Sequence, residues 1–219
     1  MPDTSVPHSS MPGPPRDVRD YLTLSPVVPV LTISRAEDAV PLARALIAGG
    51  LSVLEVTLRT PAALDAIRRI SDDVPEAVVA AGTVLSAEGL KRAAEAGARF
   101  AFSPGLADFM LDEGPIPILP GVATPSEVMR ALAAGITTMK FFPAVPAGGT
   151  AALSALRGPF PEARFCPTGG IDQANASDFL NLPNVLCVGG SWPAPAKAIE
   201  GAHWEGIEVL AAKAATLAD

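Results

Sequence analysis

With 219 residues, 49% of them hydrophobic, the chain can build one large domain with a substantial core, and no apolar run nears the roughly 18 residues of a membrane-spanning helix. A formal net charge of −7 leaves no electrostatic footprint for nucleic acid and works against an anionic membrane surface, so any anion it binds must be met by local charge. Its two cysteines, Cys166 and Cys187, fall inside strand-like runs with no CxxC or His/Cys cluster, which fits buried thiols in a reducing compartment better than a disulfide frame or a zinc site.

The first twenty residues, MPDTSVPHSSMPGPPRDVRD, are rich in Pro, Ser and charge and have no apolar signal region. They are expected to form a disordered tail, residues 1–20, ahead of a single domain over 21–219. With no targeting address visible, the cytoplasm is the expected location.

From Tyr21 onward, short β-rich runs alternate with Ala/Leu-rich segments of helical period, the pattern of repeated βα units around a parallel sheet. PVVPVLTI comes first. The helix after it is expected to start with Ser34 as N-cap and stop at Gly49-Gly50, with Pro41 kinking its interior. VLEVTL follows with a helix over 61–71, AVVAAGTV with one over 87–96, and RFAFSP with a short degenerate helix over 107–113. IPILPGV leads to a helix over 125–134, TTMKFFP to 151–156, ARFCPTGG to 173–180, and VLCVGGSW to a last helix over 206–217. Eight strands with alternating helices favour a (β/α)8 barrel of the TIM type, whose active site lies at the C-terminal strand ends. The competitor is an open doubly wound sheet.

The strand ends carry chemistry. Side chains alternate along a strand, so in VLEVTLRT the residues Glu55, Thr57 and Arg59 share one face, while Leu54, Val56 and Leu58 share the face expected against the helices. The same parity in TTMKFFP groups Thr138, Lys140 and Phe142, placing Lys140 in the barrel with Glu55. A structural ion pair is one reading of those two, though such a pair is costly to desolvate. The chemical reading explains more. A lysine amine, ordinarily protonated at its pKa of about 10.4, becomes a nucleophile toward carbonyls when desolvation favours the neutral form. The resulting Schiff base is an electron sink for breaking an adjacent carbon–carbon bond, and Glu55 is placed for the accompanying proton transfers.

Arg59 offers a planar fork for a carboxylate or phosphate, or else a surface ion pair. Thr83 and Thr168 supply hydroxyls at strand ends. PTGG and GGSW close the last two strands with paired glycines, which let backbone N–H groups approach an anion.

Through PVVPVL, GGLSVLEVTLRT, AGTVL, FSPGL, PGVATPSE, KFFPA, GPFPEARFCPTGGI and VLCVGGSW, which cover nearly everything from Leu24 to Trp192, the sequence resembles the family of 2-keto-3-deoxy-6-phosphogluconate (KDPG) and 4-hydroxy-2-oxoglutarate (KHG) aldolases. The resemblance implies a metal-free, cofactor-free class I lyase of the Entner–Doudoroff pathway on a (β/α)8 barrel. Such an enzyme splits the phosphorylated keto acid into pyruvate and glyceraldehyde 3-phosphate and is usually a homotrimer. By the same resemblance Lys140 is the Schiff-base lysine and Glu55 the acid/base group. Arg59, Thr83 and Thr168 hold the pyruvyl part, Pro104 lines the pocket, and Gly169, Gly170, Gly190 and Ser191 bind phosphate.

Two positions depart from the family pattern: Val145 stands where an acidic residue is expected, and Ala81 where glycine is common. Two other functions stay open on the residues alone: a sugar-phosphate isomerase on the same barrel, and a non-catalytic sugar-phosphate-binding protein.

Overall fold

A computed structural model describes residues 18–217. The strands are β1 (Val27–Leu31), β2 (Val53–Thr57), β3 (Val78–Gly82), β4 (Phe100–Phe102), β5 (Ile118–Leu119), β6 (Gly121–Val122), β7 (Thr138–Phe141), β8 (Arg164–Pro167) and β9 (Val188–Gly190). Each of the eight expected runs contains strand, but the fifth is split at Pro120, which has no N–H to continue the ladder. All named pairings are parallel. Six strands form a sheet in the order β5-β4-β3-β2-β1-β9, bent into a half-barrel, and β6-β7-β8 form a second sheet. The fold is therefore α/β around parallel sheet, as its alternating sequence predicts. Parallel bridges from Phe165 to Val185 and from Thr168 to Gly189 connect β8 to the β9 region.

The helices are α1 (Val18–Leu22), α2 (Ala39–Ala48), α3 (Ala63–Asp73), α4 (Ala87–Glu95), α5 (Pro125–Ala133), α6 (Gly149–Arg157), α7 (Ala176–Leu180), α8 (Ala196–Glu200) and α9 (Trp204–Ala215). Local chemistry explains several boundaries. Ser86 caps α4 by accepting from the Gly89 N–H, and Thr124 with Glu127 forms a reciprocal capping box on α5, with Pro125 at the entry. The Ser34 cap is not used: a 3-10 turn over Ala36–Asp38 intervenes and α2 begins at Ala39. Pro41 thus falls in the first turn, where its missing N–H would have had no intrahelical partner, so the expected obstacle disappears. The degenerate segment after β4 is a 3-10 turn at Asp108–Met110.

Two features correct the sequence reading. Helix α8 is not foreshadowed by it, and the tail boundary moves: Val18, Arg19 and Asp20, assigned to the tail, belong to α1. The rest of that segment lies outside the described residues. Among the described residues no helix is long and apolar enough to cross a membrane.

The sheet is buried on both faces, as parallel sheets generally are. Leu54, Val56, Met139, Phe141 and Phe165 pack outward against the helices. A smaller inner cluster holds Val28, Val53, Phe100, Phe102, Cys166 and Cys187, with Val18 and Leu22 of α1 closing the end from which the strands start. Helix α1 is tied in by Tyr21, stacked on Phe100 at 5.6 Å, and by Arg19, which donates to Thr138 Oγ1 at 3.0 Å and Thr137 Oγ1 at 2.8 Å.

Candidate active site

Strands β2 and β7 bring Glu55 and Lys140 together on the inner face. Lys140 Nζ donates to Glu55 Oε1 at 3.0 Å and Oε2 at 3.2 Å, with 1% of Glu55 and 5% of Lys140 exposed. The parity argument holds on both strands, since the intervening Leu54, Val56, Met139 and Phe141 all lie in the outer core. Two rings face the same ammonium, Phe102 at 5.0 Å and Phe142 at 5.5 Å from centroid to Nζ, within cation–π range.

Above Lys140, at the C-terminal strand ends, a cleft of about 340 Å³ is lined by Arg59, Phe142, Thr168, Gly169, Gly170, Gly190 and Ser191, among others. Phe142 belongs both to this wall and to the surroundings of Lys140, so the buried amine lies directly beneath the cleft. A larger cavity of about 650 Å³ lies at the other end, against α1 and the segment before β5, away from both charged residues. The smaller cleft is the one with the chemistry.

The cleft is built to receive an anion. Among the described residues, Arg59 is the only charged one lining the cleft, and its side chain makes no hydrogen bond or ion pair there. Gly169 and Gly170 have φ of 104° and 78°, backbone conformations that side-chain-bearing residues rarely adopt. The Gly170 N–H has no acceptor among the described residues. Thr168 Oγ1 is buried and has no partner among the described residues, a costly state unless a ligand supplies the bond.

Thr83 and Pro104 follow β3 and β4 and are not among the residues lining this cleft. Thr83 has a φ of 58°, an outlying conformation for a β-branched residue and one that concentrates at functional sites. Val145 is 43% exposed and packs over Gly170, so the position expected to be acidic presents an apolar rim.

Sequence reasoning missed Phe102, because in RFAFSP two phenylalanines and an alanine leave open which face is inward. It also passed over the relation of Cys166 to Lys140, which are register partners across β7 and β8. The hydrogen bond with Cys166, followed by burial, pushes the Cys187 thiol well above its ordinary value. Both cysteines are free, buried thiols.

A family model for KDPG and KHG aldolase matches residues 18–210. The chain is 54% identical over 196 residues to the KHG/KDPG aldolase of Escherichia coli, covering 88% of this chain and 92% of that one. It is 51% identical over 199 residues to the 2-dehydro-3-deoxy-phosphogluconate aldolase of Pseudoalteromonas atlantica, covering 90% and 93%. Among solved structures, the KDPG aldolase of Legionella pneumophila, with pyruvate captured as a covalent carbinolamine intermediate, superposes with a TM-score of 0.90 at 45% identity, covering 92% of this chain and 99% of that one. Local geometry and full-length similarity agree: the chain belongs to the KDPG and KHG aldolase family.

Proposed function

We propose that this class I aldolase cleaves 2-keto-3-deoxy-6-phosphogluconate to pyruvate and glyceraldehyde 3-phosphate through an imine on Lys140, and also cleaves 4-hydroxy-2-oxoglutarate to pyruvate and glyoxylate. The observation that carries the mechanism is the buried Lys140–Glu55 pair beneath an anion-receiving cleft.

Glu55 is the nearest acceptor for the ammonium proton, and the freed amine attacks the keto carbon to give a carbinolamine. Glu55 returns that proton to the carbinolamine hydroxyl, which leaves as water, and a protonated imine remains. Glu55, directly or through a water, then takes the proton from the hydroxyl on the departing fragment. The bond between the hydroxyl-bearing carbon and its neighbour breaks, its electrons enter the imine, and the aldehyde leaves. Protonation of the enamine carbon gives the pyruvyl imine, which water hydrolyses. The positive charge that drives cleavage is the iminium itself, so the step uses no metal.

In this reading Arg59, Thr83 and Thr168 hold the pyruvyl part, Pro104 lines the pocket, and Gly169, Gly170, Gly190 and Ser191 take the phosphate. The proposal includes a closed (β/α)8 barrel, supported by the Pro120 junction between β5 and β6 and by the bridges beside β9. It also includes a homotrimer, the state the resemblance implies, and a cytoplasmic location, the default where no targeting address is visible.

The test is borohydride reduction in the presence of pyruvate, followed by peptide mapping and a coupled assay for pyruvate release. A reduced pyruvyl adduct on the Lys140 peptide is expected. Turnover without an adduct there would remove Lys140 from the mechanism and favour acid/base chemistry on the same fold.

A further inference from the structure

We propose that Gly82 is a positioning residue for Glu55: the side chain missing at Gly82 is the space that the Glu55 carboxylate occupies. A Cβ built on Gly82 would collide with Glu55 Oε1 and come within 2.7 Å of its Cγ and 2.9 Å of its Cδ. Strand β3 is register-paired with β2, Gly82 facing Thr57, so Glu55 leans along its own strand onto the neighbouring glycine.

Backbone conformation does not explain this glycine. Gly82 is absent from the left-handed glycines of the chain, and a glycine inside a strand weakens it. What it supplies is room. The same arrangement recurs twice: a Cβ on Gly189 would strike Thr168 Oγ1, and one on Gly121 would strike the Pro104 carbonyl, both again without a left-handed φ. The Glu55 side chain within β2, the Thr168 side chain just after β8 and the turn after β4 each settle against a glycine of another strand.

The inference rests on the assignment of Glu55 as the acid/base group, and its test separates the two. Pyruvate methyl exchange in D2O, followed by proton NMR, reads the proton-transfer step without an aldehyde. It is measured for wild type, Gly82→Ala, Glu55→Asp and the double variant, with borohydride trapping on Lys140 in parallel. Gly82→Ala should keep the trapped adduct while exchange slows about 100-fold. Adding Glu55→Asp, shorter by one methylene, should restore exchange about fivefold or more over Gly82→Ala alone, a coupling that independent sites do not show.

Wild-type exchange in Gly82→Ala, or a double variant no faster than the product of its single effects, overturns the role of Gly82 while leaving the aldolase mechanism standing. No adduct on Lys140 in wild type overturns both. Should Gly82→Ala not fold, a folded double variant that exchanges supports the proposal, and an unfolded one overturns it.

Discussion

Lys140 donates to both oxygens of Glu55 from a strand on the far side of the inner cluster, 85 residues along the chain. A buried pair of this kind is poor value as a stabilising contact, but removing one member leaves the other charged and unpaired. Lys140→Met should therefore abolish cleavage and cost about 3–5 kcal/mol of stability, and adding Glu55→Gln should recover most of that stability without any activity. Denaturant unfolding and a coupled pyruvate assay read the two quantities separately. A Lys140→Met protein as stable as wild type would show that the pair is not held charged.

The ring of Phe102 favours cationic states of the nitrogen it faces at 5.0 Å. Phe102→Leu keeps an apolar side chain and removes that preference, worth about 0.5–2 kcal/mol in such geometries. The iminium formed on that nitrogen loses the same preference, so the yield of reduced pyruvyl adduct at limiting pyruvate should fall about twofold or more. An unchanged yield, measured by borohydride trapping and intact mass, would reduce Phe102 to packing.

Thr168 offers the cleft a hydroxyl that has no other bond among the described residues. Thr168→Val, equal in shape, should be neutral or stabilising by about 1 kcal/mol, since an unsatisfied buried hydroxyl is removed. It should raise KM about tenfold by deleting a hydrogen bond to substrate. Thermal unfolding beside steady-state kinetics checks both directions, and an unchanged KM would take Thr168 out of substrate binding.

Cys187 holds its proton more tightly in the folded state, because it is bonded to Cys166 and buried. A raised folded value gives stability that is complete below the ordinary thiol value of about 8.5 and fades as pH climbs above it. Melting temperatures should fall through the alkaline range in wild type, and the fall should be shallower in Cys187→Ala. Equal slopes would assign the loss to other groups.

Much of this architecture is written in short-range patterns. Apolar runs bounded by Pro and Gly locate each strand, and a period of two is enough to put Glu55 and Lys140 on one face before any contact is known. Tertiary relations are less visible. Pro41 looks like a defect until the 3-10 turn at Ala36–Asp38 moves the helix start, and nothing local distinguishes Gly82, which makes room, from Gly50, which ends a helix with a φ of 89°. Helix α1 is hidden because five residues with two charges, VRDYL, adjoin a Pro-rich segment. Its reason for folding is long-range: Val18 and Leu22 cover the inner cluster, and Tyr21 covers Phe100.

That closure at α1 gives the molecule a front and a back. Val18 sits behind the strands, at the end opposite the cleft, with α1 shutting that end against solvent. A cut made inside α1 would undo this. It would strip Arg19 from Thr138, two residues from Lys140, and open a back door for water to the dry side of the reacting nitrogen.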